Sequence, residues 1–373
     1  MKIVCFSDLH IGQKNYCKVD PVTGLYQREK NAINILNQIV DTCINEQVDV
    51  CIFAGDMFKN NLPNPTLIDK VNEAFIRLSQ HNVYTLVLDG NHDVSKQDSF
   101  CSGLHQFESL QVTNIIQTRF FKVVLKTFQG ITYQFVFLPT HHKKEDIINC
   151  VQHISKDYPT IVIGHLTIKN AFLNDWNIIS DDDCIDLDVF NQKQILAVVL
   201  GHLHKYQVLS EQPKVFYCGS CDRIDFSEEK QDKGYIYMEI SNKIDVFEYR
   251  KLNVQKFITV KVDCSNESES NEVRDMIISK LPKRGLKDAI LRIKVKLSNK
   301  MKIDEKDIIQ YAYDKKVQYL LKIQYDIPSV QNDIVINNFL PIQDVVKQYF
   351  KGKPREKECS EIAYNIIKEV EEC

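Results

Sequence analysis

Long apolar runs are missing from this chain. No stretch of its 373 residues approaches the ~18 consecutive apolar positions that a bilayer-spanning helix requires, so no membrane anchor is expected. The apolar opening from Met1 to Phe6 is interrupted at Asp8 and His10 and lacks the profile of a secretion signal. Glycine and proline are scarce, at 12 and 10 copies, and there is no internal repeat or low-complexity tract; collagen-like and fibrous architectures are excluded. Neither sign of charge dominates. With 47 basic and 50 acidic residues the net charge is −3, so a contact with a polyanion must come from a local patch or from bound metal. The 12 cysteines are scattered, and Cys5 and Cys51 fall inside apolar, strand-like runs. A chain this long buries an adequate core without disulfides, which leads us to expect free thiols and a reducing, cytoplasmic compartment.

What is present is 44% hydrophobic and 26% charged, the composition of a folded chain of two or three domains. The charge is unevenly divided. Residues 250–373 carry 24 Lys and Arg against 19 Asp and Glu, leaving 23 against 31 for residues 1–249. The pattern also changes near residue 250. Before it, apolar runs at Lys2–Phe6, Val48–Ala54, Val83–Leu88, Thr160–Ile163 and Ile195–Leu200 read as strands buried on both faces. Amphipathic stretches around Glu29–Ile44 and Pro65–Gln80 read as helices between them. Later strands at Tyr133–Leu138, Val215–Tyr217, Tyr235–Ile240 and Asp245–Tyr249 suggest a second sheet packed on the first. The expected class is α/β, a two-sheet sandwich flanked by helices, over residues 1–250.

The informative residues stand at the carboxyl ends of these strands. Asp8 and His10 follow the first, and Gly55-Asp56 the second. Gly90-Asn91-His92-Asp93 follows the third, then Gly164-His165 and Gly201-His202-Leu203-His204. Open α/β sheets bind ligands at this edge. A carboxylate, imidazole and amide donor set without thiolate suits divalent manganese, iron, cobalt or zinc. Seven donors are too many for one ion; with one carboxylate shared they suit two ions about 3.5–4 Å apart, the clamp used in phosphate-ester hydrolysis. Independent core histidines would have no reason to recur after glycine at successive strand ends.

These ordered motifs resemble those of the calcineurin-like metallophosphoesterases. Within that family, the segment Tyr217-Cys218-Gly219-Ser220-Cys221-Asp222-Arg223-Ile224-Asp225-Phe226, with Glu228 and Gly234-Tyr235, resembles double-strand-break repair nucleases, the SbcD-type subunits that work with a coiled-coil ABC-type ATPase. The resemblance implies a metal-dependent DNA exonuclease or endonuclease holding two divalent ions, manganese foremost. Asp8, His10, Asp56 and His204 would hold one ion; Asp56, Asn91, His165 and His202 would hold the other. His92 would face the scissile phosphate as acid or hydrogen-bond donor, and Asp93 would orient it. Where many relatives place a histidine after the Gly-Asp-x-Phe segment, this chain has Lys59; a lysine can hold phosphate as a point charge but lacks the acid–base chemistry of an imidazole. Cys218 and Cys221 have CxxC spacing, but with no second pair nearby they read as part of a loop.

Residues 251–327 read as a smaller α+β module matching the family's DNA-capping domain, with strands Phe257–Val262, Ala289–Leu297 and Val317–Tyr325 and helices Glu272–Leu281 and Asp304–Tyr313. Between Pro282 and Lys302 eight basic residues meet one acid, and Arg292, Lys294 and Lys296 share one strand face, the expected contact for DNA phosphates. A linker is expected over 328–341. A helical hairpin over 342–373, with apolar faces at Ile342, Val345, Val346, Tyr349, Phe350 and at Ile362, Ala363, Ile366, Ile367, Val370, must cover them either on its own nuclease domain or on a partner, which the family layout implies is the ATPase. The family layout also implies a homodimer through the two front helices. The competing reading keeps the metals but acts on phosphoproteins or small phosphodiesters; a third, a noncatalytic scaffold, conflicts with the complete donor set.

Overall fold

A computed structural model describes residues 1–95, 102–105, 107, 114–172, 184–327, 345–346, 349–351 and 355–371. Two six-stranded sheets face one another. The first contains β1 (Lys2–Phe6), β2 (Val50–Ala54), β3 (Tyr84–Leu88) and β4 (Ile115–Thr118), all parallel. The second contains β5 (Lys122–Phe128), β6 (Ile131–Leu138), β7 (Thr160–His165), β8 (Ile195–Gly201), β9 (Gln207–Glu211) and β10 (Lys214–Tyr217). Its inner strands β6, β7, β8 and β10 are parallel, with β5 and β9 antiparallel at the edges.

Sheet membership differs from the expectation in one respect. β11 (Gly234–Ile240) and β12 (Ile244–Lys251) extend the first sheet, with Lys2 opposite Glu239 and Cys5 opposite Ile236, while Thr160–Ile163 and Ile195–Leu200 belong to the second. Both sheets have apolar strands buried on two faces, so hydrophobic pattern alone could not assign partners. The inner faces meet in one core, Ile3, Cys5, Ile52 and Leu86 against Phe135, Phe137, Ile163 and Val199.

Helices cover the outer faces. α1 (Gln27–Asn45) and α2 (Pro65–Gln80) pack Leu36, Ile39, Val40, Phe75 and Leu78 onto Val4, Phe6 and Phe53 of the first sheet. Fully burying one such side chain contributes about 1.5–3 kcal/mol. The start of α2 is set by Pro65 at its first position and by Asn64, whose side-chain oxygen accepts the Thr66 N–H at 2.9 Å. α3 (Lys144–Gln152) covers the second sheet with Ile147 and Val151. Among the described residues no helix is long and apolar enough to cross a membrane.

A third sheet has its own core. β13 (Phe257–Cys264) and β14 (Ile290–Leu297) pair in parallel, and α4 (Ser270–Lys280) and α5 (Lys306–Asp314) cover one face through Val273, Ile277 and Ile308. The third strand expected over 317–325 is two short pieces, β15 (Tyr319–Leu320) and β16 (Gln324–Asp326), each paired with β14. The expected linker 328–341 lies outside the described residues, as does most of the first terminal helix; α6 (Glu356–Glu371) is helical over the second. The ten described cysteines are all free thiols.

Candidate metal centre at the strand ends

The carboxyl ends of β1, β2 and β3 in one sheet and of β7 and β8 in the other open at the same end of the sandwich. The loops leaving β1 and β2 are laced together: Asp8 N–H donates to Gly55 O at 2.9 Å, His10 N–H to Asp56 O at 3.1 Å and Ile11 N–H to Met57 O at 2.8 Å. Such sharp exits demand unusual backbone. Asp8, His10, Asp56 and His202 all have positive φ, at 52°, 49°, 62° and 93°. Conformations of this kind cost on the order of 1–3 kcal/mol each and persist only where surrounding structure enforces them. The glycines before the ligand candidates serve close approach. A Cβ on Gly55 would lie 2.2 Å from His165 Nδ1, and one on Gly90 would lie 2.2 Å from Asp56 Oδ1.

The structure brings all seven candidate donors together. His92 N–H donates to Asp56 Oδ1 at 2.8 Å, leaving Oδ2 between two imidazoles, 3.4 Å from His165 Nε2 and 3.7 Å from His10 Nε2. On one side His10 Nε2 and His204 Nε2 are 3.1 Å apart, with Asp8 beside them. On the other, Asn91 Oδ1 is 3.0 Å from both His165 Nε2 and His202 Nδ1. Asp56 thus stands where a carboxylate shared by two ions would stand.

The ring partners test whether cations fit. His165 Nδ1 is 2.8 Å from Ala54 O and His204 Nδ1 is 2.8 Å from Glu228 Oε1, so each Nδ1 carries the proton of the neutral ring. The His165 Nε2 lone pair then points at the Asp56 carboxylate and Asn91 Oδ1, and that of His204 at His10 Nε2. Around Asp56 the converging acceptors call for a cation or an extra proton between them, and Asp and His groups here are positioned to bind a divalent metal. Without an ion, the charges express this need. Burial alone would raise the Asp56 carboxyl, but His165 and His10 hold it well below the usual range. Burial would lower His165, yet Asp56 beside it raises the imidazole to about 9.

The remaining candidates are placed differently from one another. His92 Nδ1 lies 3.1 Å from Lys59 O, and its ring meets His10 edge-on at 4.9 Å. Asp93 does not orient His92. Its carboxylate accepts the backbone N–H groups of Asp56, Met57, Phe58 and Gly90 at 2.9–3.1 Å and so fixes the loop that carries Asp56. The acid beside His92 in sequence points away because both residues sit in one tight turn. Lys59 is half-buried, and its ammonium charge is among those disfavouring a charged His10. Lys294 and Lys296 are exposed on β14, with Lys296 Nζ 3.3 Å from Asp263. Arg292 is instead engaged between domains: its guanidinium donates to Thr259 Oγ1 and lies 4.0 Å from the centre of the Phe226 ring.

Sequence reasoning gave no role to Glu228. Its carboxylate, 5% exposed, holds His204 Nδ1, pairs with Lys233 at 2.7 Å and accepts the Ile224 N–H. Burial would raise this acid, but His204 and Lys233 bring it down to about 2. It stood in the sequence only as part of the segment that carries the nuclease resemblance, with nothing in its spacing to pair it with His204. Cys218 and Cys221 are buried, and burial raises both thiols well above the ordinary range. They belong to the packing under the loop.

The profile of the calcineurin-like phosphoesterase family matches residues 1–206. The SbcD component of the SbcCD nuclease from Staphylococcus saprophyticus is 26% identical over 261 residues, which cover 65% of this chain and 66% of that protein. The DNA double-strand break repair protein Mre11 of Sulfolobus acidocaldarius is 23% identical over 392 aligned positions, covering 100% of this chain and 96% of that one. A solved dimetal phosphatase from Danio rerio aligns with 67% of this chain and 96% of its own, at 11% identity and a TM-score of 0.42. With the family profile spanning more than half of its length, the chain belongs to the calcineurin-like phosphoesterase family.

Proposed function

We propose that this chain is a two-ion DNA nuclease, with manganese the preferred ion, that acts in double-strand-break repair or recombination beside a coiled-coil ABC-type ATPase. The observation that carries this reading is the reach of one alignment. A repair protein runs alongside this chain from end to end, including the third-sheet domain and terminal segment that small phosphoesters do not require.

In this reading Asp8, His10, Asp56 and His204 hold one ion, and Asp56, Asn91, His165 and His202 the other. Divalent ions bound there supply Lewis acidity toward a phosphodiester. The chain's own groups do the rest. Asp56 ties the two positions together, and Asp93 holds its loop rigid through four N–H groups. In its imidazolium form His92 would donate a hydrogen bond or proton from Nε2 to the leaving oxygen, while the Lys59 carbonyl holds Nδ1–H and keeps it on the ring. Lys59 itself steadies a phosphate by charge. The cap, residues 251–327, presents Lys294 and Lys296 beside Arg292 to DNA phosphates, supplying positive charge that residues 1–249 lack. Front helices α1 and α2 form the homodimer contact, and residues 342–373 dock on the ATPase in a reducing cytoplasm.

The test compares manganese-dependent cleavage of duplex DNA with that of bis(p-nitrophenyl) phosphate. Cutting of DNA that disappears in His92→Ala while metal still binds supports the nuclease. Hydrolysis of the small diester with every DNA left intact would favour the phosphodiesterase alternative. Removing residues 342–373 should abolish ATPase binding and spare small-diester hydrolysis.

A further inference from the structure

Two adjacent acids on one short turn, Phe226–Glu228 with its following residue, face opposite ways. Glu228 is bonded to His204 at 2.8 Å within the metal-centre candidates. Glu229 reaches into the cap, where its carboxylate accepts both the N–H of Thr259 at 2.7 Å and the Thr259 hydroxyl, with Arg292 Nη2 3.9 Å away. The turn is wedged. Phe226 packs against Phe257 at 4.9 Å and beneath the Arg292 guanidinium, and Arg223 just before it donates to Glu228 O, Gln231 O and Gln255 O. Gln255 lies in the strand-free segment joining the nuclease domain to the cap, and its side chain accepts from Asn31 of α1 and donates to Asp288 O in the cap.

The loop bearing Asp8 and His10 meets the same joint. Tyr16, six residues after His10, stacks edge-on with Phe226 at 5.5 Å and with Phe257 at 6.0 Å, and Gln13 donates to Ile224 O at 3.3 Å. Phe226, Phe257 and Ile290 form one small apolar cluster shared by the two domains, with Tyr16 against it. The Asn91, His165 and His202 side has no such link. Among the described residues, those three side chains are held by one another, by Ala54 O and by Asp56, the His202 N–H donates to Asp8, and none bonds to the cap.

Consecutive Cα atoms are 3.8 Å apart, so Glu228 and Glu229 cannot move independently by more than a small adjustment of the turn. Packed interfaces of this kind transmit displacement because they have few intermediate arrangements. We infer that the seating of the cap governs the ion position built by Asp8, His10 and His204, and leaves the position at Asn91, His165 and His202 to the nuclease domain alone. Glu229 and Arg292 are positioning residues, acting on His204 through Glu228. A change in cap orientation therefore alters occupancy at one position of the pair. This rests on the two-ion reading proposed above.

The experiment titrates the full metal-free chain with Mn2+ by calorimetry and records the electron paramagnetic resonance spectrum, which distinguishes an isolated ion from a coupled pair. Wild type is compared with Glu229→Gln, with Thr259→Val, which removes only a hydroxyl, and with Glu228→Gln as the variant acting directly on His204. Wild type should bind two ions. Loss of a supporting partner commonly weakens a metal site about 10- to 100-fold. Each variant should weaken one binding event by at least about tenfold, leave the other unchanged, and replace the coupled signal by that of a single ion at intermediate Mn2+. Thermal unfolding of each metal-free variant checks folding, and Thr259→Val serves if Glu229→Gln unfolds. Two ions in wild type with both affinities unchanged in Glu229→Gln and Thr259→Val, or both lowered in parallel, overturns the coupling alone. Fewer than two ions in wild type overturns the two-ion reading and the coupling with it.

Discussion

The imidazole of His92 is hydrogen-bonded to the backbone of Lys59, Nδ1 to carbonyl oxygen at 3.1 Å. The two residues that distinguish the expected substrate side of the centre are therefore linked through an atom that substitution of Lys59 leaves in place. His92→Ala should lower the rate of manganese-dependent diester hydrolysis by at least about 100-fold, in line with loss of a general acid, with two ions still bound. Lys59→Ala should change small-diester turnover little and weaken DNA binding. Steady-state kinetics on the small diester, beside filter binding of DNA, separates these effects. Equal loss of both activities in Lys59→Ala would mean that the ammonium acts in the chemistry.

Asp93→Asn places an amide NH2 among four backbone N–H donors that the carboxyl oxygens now accept. The cost expected for such unmatched buried groups is about 1–3 kcal/mol. The unfolding midpoint of the metal-free protein should fall, and Mn2+ affinity with it, because the loop carrying Asp56 loosens. A variant as stable as wild type would show that the carboxylate is not what fixes that loop.

His165 gives the metal-free protein a pH signature. Its folded pKa of about 9 lies above the ~6.5 of an unperturbed imidazole. Stability from this group is fully present below about pH 6.5 and is lost as pH rises through about 9. An entering ion must displace the same proton, so apparent Mn2+ affinity should rise with pH and level off near pH 9. Denaturation of the metal-free protein at pH 6, 7.5 and 9, with calorimetric metal titrations at each, checks both slopes. A metal affinity independent of pH from 6 to 9 contradicts this assignment.

Lys294 and Lys296 stand exposed on one face of β14. Charge-neutral substitution of both should weaken DNA binding alike for all sequences and reduce its logarithmic salt slope by up to about 2, one for each phosphate no longer engaged. An unchanged slope would assign the face to ordinary solvent exposure. Arg292 stands apart from this pair because its removal would also disturb Thr259 and Phe226.

The strand ends were readable because polar candidates at the end of an apolar run, several of them after glycine, leave a local mark, and the candidate donors from Asp8 to His204 all meet. Pairing of strands was less readable. β11 is far from β1 in sequence, and its apolar pattern fits either sheet equally well, so its place beside β1 emerges only in three dimensions. Roles that depend on direction were hidden for the same reason. Asp93 and His92 are neighbours that bond the same loop after β2 at different points, Asp93 through the N–H groups of Asp56 to Phe58 and His92 through Lys59 O, and Arg292 shares a strand face with Lys294 and Lys296 yet turns into the domain joint. Glu228 had no spacing signal because its partner His204 is reached across the fold.

The left-handed backbone at Asp8, His10, Asp56 and His202 sets these positions against the stability of the fold. Glycine in any of the four would relieve torsional discomfort while deleting a donor. Variants selected for heat tolerance alone should therefore drift toward glycine at these sites and lose ion binding together with hydrolysis.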